Sequence, residues 1–264
     1  MFIHTFGISF ISEFYKLLDI KLYLSILDYR TLIVLVTSTV ITFIAFKYKL
    51  IFDIDLTMLS IAIIFPLVFA IRGSFRRREK ALEYLSQFRS ALKTLQYHIL
   101  CDSMLSQENK DELNTILINI SDHTMAHLGS DLSNTRDLDT IMDKVHAFIL
   151  CNPGHLSGKL RDRLIKFMNK LHDALENLIA IKEHRTPLSL KAYCKVFIYL
   201  FPIIYAPTII SHVGQETQQG FTYFIVLLTE FILITLYNIQ DQLEYPFDNR
   251  VLDDIKLQIF KLDR

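Results

Sequence analysis

An uncharged apolar run at residues 56–71 stops directly at a basic cluster at residues 72–80, and this junction constrains the fold more than any other feature of the chain. Sixteen helical residues rise about 24 Å, and flanking side chains that reach the lipid headgroups can complete a ~30 Å hydrocarbon span. Basic residues beside an apolar segment are typical of the cytosolic face of a membrane. The junction therefore predicts a membrane helix and its orientation.

Three more apolar blocks, residues 31–46, 196–215 and 220–238, accompany this run. The chain is 51% hydrophobic with a mean hydropathy of +0.30, which is too apolar for an average soluble domain. Basic residues also precede the third block, whereas the loop 211–219 has no Lys or Arg. We expect an all-α membrane protein with four transmembrane helices in two pairs, a helical cytosolic bundle between the pairs, and both termini in the cytosol.

The pattern predicts five segments along the chain. The first carries Phe6, Phe10 and Phe14 at helical spacing, as in a helix that lies on the membrane surface. The segments are an interfacial N-terminal helix at 1–30, transmembrane helices 1 and 2 at 31–71, a cytosolic helical domain at 72–186, transmembrane helices 3 and 4 at 187–240, and a cytosolic C-terminal segment at 241–264.

Helical periodicity runs through the central segment. Apolar residues recur at steps of three and four, which predicts two long amphipathic helices, the first continuing directly from the second membrane span. Shorter helices are expected around residues 108–128 and 138–150. The apolar positions of the two long helices are Ala81, Leu85, Phe88, Leu92, Leu95 and Ile99, followed by Leu160, Leu164, Phe167, Leu171, Leu175 and Leu178.

Several function classes lack support in the sequence. Lys and Arg total 28 and balance 28 acidic residues, so no bulk attraction to nucleic acid is indicated. No glycine-rich phosphate loop occurs. His123 and His127 have the i, i+4 spacing of metal ligands but no evident third ligand, and Cys151 with His155 lacks an orienting group. We expect no metal, no cofactor and no enzymatic activity.

Two features of the membrane segments have open interpretations. Ile61, Phe65 and Phe69 form one stripe of the second span, which either packs on helices and lipid or lines a hydrophobic constriction. Glu230 lies midway along the fourth span, where a carboxylate must face protein or water. It is either neutral, hydrogen-bonded to a neighbouring helix, or involved in permeation or proton sensing.

Short motifs resemble the bestrophin family of anion channels. The second span ends at Arg72 and continues into Arg78-Glu79-Lys80-Ala81, and the third span contains Phe201-Pro202. After the fourth span, Glu244-Tyr245-Pro246-Phe247-Asp248 is similar to the Glu-Asn-Pro-Phe-Gly motif of the family. The layout of two spans, a helical insert and two further spans is also similar.

This resemblance implies a homopentamer in membrane lipid, with a central pore lined by the second helix. Ile61, Phe65 and Phe69 would form its apolar neck, with Ile64 and Val68 as the alternative stripe, and Arg72 would attract anions. The expected function is passive conduction of chloride or bicarbonate-type monovalent anions. The alternative is a membrane-anchored helical scaffold or sensor whose cytosolic bundle binds partners.

Overall fold

A computed structural model describes residues 27–131, 134–151, 156–213, 219–251 and 254–263. Within these residues the chain is helical and has no β-strand, which confirms the all-α class. The predicted interfacial helix at 1–30 lies outside the described residues except for its last four positions. The α-helices are α1 (Tyr29–Lys47), α2 (Leu56–Cys101), α3 (Gln107–Leu128), α4 (Arg136–Cys151), α5 (Gly158–Glu183), α6 (Leu188–Val213) and α7 (Gln219–Leu243), and a 3-10 turn covers Leu257–Phe260.

Four helical stretches are long and apolar enough to cross a membrane, as predicted. They are α1, α2, α7 and the stretch Gly158–Val213, whose apolar residues lie in α6. The chain is thus an integral membrane protein. It divides into two compact units, and the division falls inside α2 after Ser74. The membrane unit consists of the described residues up to Ser74 with Thr186–Leu243, and the helical bundle consists of those in Phe75–Arg185 and Glu244–Arg264.

Helix α1 shows how polar residues are accommodated in an apolar helix. Asp28 caps its start, because the Asp28 carboxylate accepts a hydrogen bond of 2.7 Å from the Tyr29 amide. Ser38 and Thr42 are fully buried, and each donates its hydroxyl at 2.7 Å to the carbonyl four residues earlier. Their hydroxyl groups therefore find hydrogen-bond partners within the helix, which is necessary because hydrocarbon offers none.

The membrane unit is built by mutual packing of α1, α6 and α7. Its apolar core includes Val34 of α1, Ile63 and Leu67 of α2, Ile198 of α6 and Ile234 of α7. Contacts of this kind between complementary helix surfaces are the main source of helix association in a membrane.

One ion cluster joins the three packed helices. Asp241 of α7 accepts a hydrogen bond of 2.7 Å from the Arg30 guanidinium of α1 and forms an ion pair with the Lys191 ammonium of α6. Next to it, the amide of Asn238 donates to the Thr31 hydroxyl at 3.0 Å. Charge-assisted hydrogen bonds are stronger than neutral ones, so this cluster sets the register of α1, α6 and α7.

The helical bundle is organised around α2, as its periodicity predicts. All six periodic positions of α2 are at most 1% exposed, and those of α5 are buried except Phe167, which is partly buried at the edge of the core. Ser106 and Ser157 begin α3 and α5 by accepting a hydrogen bond from the backbone amide three residues later, at 3.3 and 3.2 Å. Packing of these apolar stripes is the main source of stability of the bundle.

The C-terminal segment forms part of the bundle core. Phe247, Ile255 and Leu262 are at most 5% exposed and belong to the same apolar cluster as α2, α3 and α5. The Leu262 amide donates to the Ser121 hydroxyl at 2.9 Å, and the Lys261 ammonium lies 2.8 Å from the Asp122 carboxylate. This segment is therefore folded onto α3.

A pair of carboxyl groups lies in the turn of this segment. The Ile255 amide donates to the Pro246 carbonyl at 2.9 Å, and the Val251 amide donates to Asp254 at 2.7 Å. The carboxyl group of Asp248 lies near that of Asp254. Burial and the adjacent Asp248 raise the pKa of Asp254 to about 6.

The core of the bundle gives a stability prediction. Leu92→Ala removes a fully buried side chain of α2, and we expect a loss of about 2–5 kcal/mol from the transfer and cavity terms together. Leu100→Ala is the matched control, because Leu100 lies on the same helix and is 46% exposed. Its expected change is within about 0.5 kcal/mol. Thermal unfolding followed by circular dichroism in detergent measures both, and equal midpoints would contradict the assigned core.

The carboxyl pair gives a pH prediction. An unfolded aspartate has a pKa of about 3.9. Between this value and about 6, Asp254 therefore keeps a proton in the folded turn that the unfolded chain releases. The stabilisation from this proton is fully present below about pH 4 and is lost as the pH rises through 6. Hydrogen–deuterium exchange of the peptide 244–256, corrected for intrinsic rates, should show more protection at pH 5 than at pH 7.5.

The effect should disappear in Asp254→Asn and persist in Asp263→Asn, which changes an exposed aspartate of the same segment. A pH dependence that survives in Asp254→Asn would place the titrating group elsewhere.

Candidate functional site

The stripe Ile61, Phe65 and Phe69 lies on the exposed face of α2. These side chains are 54%, 60% and 52% exposed in the single chain. The Phe65 and Phe69 rings meet edge to face, with centroids 4.7 Å apart and planes at 85°. Edge-to-face contact is a preferred geometry of aromatic pairs, so the two rings support each other on the open side of the helix.

The opposite face of α2 is buried. Ile63 and Leu67 are at most 2% exposed and Ala70 is 3% exposed. Ile64 and Val68, the alternative neck stripe, belong to the exposed side at 46% and 51%. The structure of one chain thus leaves a broad apolar face of α2 uncovered, and this face includes both candidate stripes.

Arg72 lies at the end of this uncovered face. It is exposed, and it follows Phe69 by three residues, so the two side chains project from neighbouring positions on one side of the helix. The next polar residue of α2, Ser74, is fully buried and accepts a hydrogen bond of 3.3 Å from the Gln240 amide of α7. The guanidinium charge is therefore on the exposed side, and the hydroxyl is used in packing.

Glu230, the intramembrane acid, lies inside the membrane unit. Its side chain is fully buried, and neither carboxyl oxygen has a hydrogen-bond partner within the described part of the chain. It lies on the packed face of α7, whereas Ile61, Phe65 and Phe69 lie on the exposed face of α2.

The family-like motif lies in the helical bundle. Glu244 is 2% exposed, Phe247 is a core residue, and Pro246 accepts the backbone hydrogen bond that closes the turn. The Arg185 guanidinium stacks over the Tyr245 ring at 4.5 Å from its centroid. The motif therefore anchors the segment that follows α7 instead of forming part of the apolar stripe.

Beside this motif lies a cavity of about 270 Å³, lined by both basic and acidic residues. The basic residues in α5 and just after it were not among the site residues predicted from the sequence. An isolated charge that belongs to no motif does not reveal which residues it will lie beside in the fold. The charged lining residues are Asp131, Lys182, Arg185, Glu244, Asp248 and Arg250.

The two histidines with metal-ligand spacing have different environments. His123 is exposed, whereas His127 is buried, and the Lys182 ammonium lies 3.3 Å from its ring nitrogen Nε2. Lys182 also donates to the His127 carbonyl at 2.8 Å. Burial and the Lys182 charge lower the pKa of His127. The group beside this ring is thus a protein cation, which opposes binding of a metal cation at the same nitrogen.

The fold is similar to that of several solved membrane proteins. A crystal structure described as a membrane protein variant matches with a TM-score of 0.74 and 16% identity, over 88% of this chain and 93% of that chain. A bacterial bestrophin homologue from Klebsiella pneumoniae matches with TM-scores of 0.72 for a single-residue variant and 0.68 for a second crystal structure. The identities are 16% and 17%, with the same coverage of both chains.

No protein-family model and no curated protein matches the chain. The solved structures share the fold over nearly their whole length, even though fewer than one residue in five is identical. The chain therefore has the fold of the bacterial bestrophin homologues.

Proposed function

We propose that this chain is the subunit of an anion-selective channel, in which the exposed face of α2 lines a central pore. The observation that carries the proposal is that the membrane part of α2 has two apolar faces, of which the single chain buries one. One face is packed within the subunit, and the other exposes Ile61, Phe65 and Phe69 and ends at Arg72. The bestrophin-homologue fold supports the same assignment.

The degree of burial supports α2 as the pore helix. Its apolar membrane stretch is 17% buried in the single chain, against 28% for α1 and 39% for the stretches in Gly158–Val213 and α7. The membrane helix with the most uncovered surface is the one available for further copies and a pore. Copies that repeat one interface form a ring when the rotation between neighbours closes after a whole number of copies. The proposed assembly is a homopentamer in membrane lipid.

The apolar neck would act as the barrier to ions. A constriction lined by isoleucine and phenylalanine offers water no hydrogen bonds, so it passes ions only when wetted. The ring edges of phenylalanine carry positive partial charge, which favours an anion over a cation as hydration is lost. Chloride and bicarbonate-type monovalent anions are the proposed permeant ions, and the pore conducts them without a chemical reaction.

The charges on α2 suggest the orientation. Arg72, Arg76, Arg77, Arg78 and Lys80 follow the apolar stretch within about two and a half turns. By the positive-inside tendency, the helical bundle and both termini would be cytosolic. Arg72 would then lie at the cytosolic mouth of the neck and raise the local concentration of anions there.

The neck prediction uses the double variant Phe65→Ala with Phe69→Ala. The change removes two rings from every subunit, and we expect chloride flux to rise about tenfold, as for a barrier lowered by about 1.4 kcal/mol. Flux is measured in liposomes with a halide-sensitive dye. Phe224→Ala is the matched control, since Phe224 is also 60% exposed but lies on α7.

Unchanged flux in an assembled double variant would assign the stripe to packing. Absence of anion flux in the wild type, with the bundle still folded, would favour the scaffold alternative.

Arg72→Gln tests the electrostatic part of the proposal. A fixed charge at a pore mouth acts over the Debye length, which is ~30 Å at 0.01 M salt and ~3 Å at 1 M. The anion-over-cation permeability ratio should fall severalfold at low salt and little at high salt. Reversal potentials in asymmetric chloride at both ionic strengths measure it. Lys195→Gln, the same loss of charge at an exposed position of α6, should leave the ratio unchanged.

Arg72 would be assigned to a role outside the pore if its variant and the Lys195 variant gave the same ratio at both salt concentrations.

A further inference from the structure

Glu230 occupies the centre of the packed face of α7. The buried positions Thr222, Val226, Glu230, Ile234 and Asn238 follow one another at four-residue steps on this face. Glu230 is more than about 16 Å from either end of the helix at 1.5 Å rise per residue. Its carboxyl group is therefore deep within the membrane unit.

The Glu230 carboxyl group lacks the hydrogen-bond and ion-pair partners that several other polar groups of this unit have. Asp241 on the same helix is paired with Arg30 and Lys191. Both oxygens of Glu230, and the Thr222 hydroxyl two turns earlier on the same face, have no hydrogen-bond partner among the described residues. Buried polar atoms are almost always satisfied, so the unpartnered carboxyl group at this depth points to a ligand on its own oxygens.

The helices packed against α7 carry their charged groups in their first two turns or their last turn, whereas Glu230 lies in the middle of α7. On α1 they are Arg30 and Lys47, in the first and last turns. On α6 they are Lys191 and Lys195 in the first two turns. His212 occupies the last turn of that helix and is exposed.

Two further titratable residues of the membrane unit, Tyr205 and Arg72, also have other environments. The Tyr205 hydroxyl of α6 lies 3.2 Å from the Thr229 hydroxyl, which neighbours Glu230 in sequence. Arg72 of α2 is exposed. Among the described residues, no hydrogen bond reaches either oxygen of the Glu230 carboxyl group.

An ionised carboxylate in this position would be strongly unfavourable, because a buried charge needs a counter-charge or several hydrogen-bond donors. A proton removes the charge and requires no coordination shell. A metal cation would need several oxygen ligands, whereas the Thr222 hydroxyl is about 12 Å away along the helix. The chemistry of the site therefore favours a proton as the ligand.

We propose that Glu230 is a proton-binding site of the membrane unit, occupied when α7 is packed against α1 and α6. Release of this proton leaves an unpaired charge on the packed face and weakens the packing of α7. The bound proton thus stabilises the helix arrangement. The inference is independent of whether the chain conducts ions.

The test uses the reaction of a protonated carboxyl group with a hydrophobic carbodiimide. The acid O–H adds across one C=N bond, its proton going to nitrogen and its oxygen to carbon. The acyl group then moves from oxygen to nitrogen, which leaves a stable N-acylurea and the whole mass of the reagent on the residue. Carboxylates that are ionised in water do not react in this way.

The full-length protein in liposomes is treated with dicyclohexylcarbodiimide from pH 6 to 9, and adducts are located by peptide mass spectrometry. We expect an adduct at Glu230 whose yield falls at least severalfold as the pH rises. Exposed Glu79 and Glu83 are internal controls and should remain unmodified. In parallel, the thermal midpoint of the wild type should fall more between pH 6 and 9 than that of Glu230→Gln, which retains only the titration of groups such as Asp254.

Two outcomes would overturn the proposal. One is the absence of an adduct at Glu230 at every pH, together with the same pH dependence of the midpoint in the wild type and Glu230→Gln. The other is protection of Glu230 by Na⁺ at fixed pH, which would assign a metal cation. If Glu230→Gln does not assemble, the labelling yield of the wild type against pH decides alone.

Discussion

Hydrocarbon offers no hydrogen bonds, and this constraint accounts for most of the membrane unit. It requires helices, so that the backbone satisfies itself, and it requires partners for each polar side chain. Ser38 and Thr42 donate to their own helix, and Asp241 joins two cations from two other helices. The polar residues thus determine which helix faces meet, whereas the apolar residues fill the space between them. An unpaired group such as Glu230 is informative because it departs from this rule.

Helix α2 contributes to two different cores, one in the membrane unit and one in the helical bundle. Before Ser74 its buried face is a stripe of Ile63, Leu67 and Ala70, and after it the buried face is the long repeat from Ala81 to Ile99. The two buried faces serve two cores, and the membrane part keeps a second apolar face uncovered. In water such a face would cause aggregation, but in a membrane it can meet lipid, another copy or a pore. This is why the exposed phenylalanines on α2 are the candidates for a pore lining, whereas packing accounts for a buried one such as Phe88.

The sequence predicted what depends on local periodicity. The four spans, the continuation of α2 and the core positions of α2 and α5 follow from steps of three and four residues, because a helix repeats its faces at that interval. Long-range pairing was not predictable in this way. Arg30 and Asp241 are 211 residues apart, and nothing in their immediate neighbours identifies the partner. The contribution of Phe247, Ile255 and Leu262 to the bundle core was missed for the same reason, since that short segment has no helical period.

A fold can persist at 16–17% identity because the constraint acts on residue classes and not on residue identities. Leucine and isoleucine are interchangeable in a packed stripe at modest cost, so most core positions can drift while the pattern is kept. Charged and aromatic groups at an interface with water or with other copies cannot be exchanged so freely. The individual character of this chain therefore lies in its few placed groups: the edge-to-face pair Phe65 and Phe69, the terminal charge of Arg72 and the unpaired acid Glu230. Packing explains the positions of the helices, and these groups are the ones on which the proposed conduction and proton binding depend.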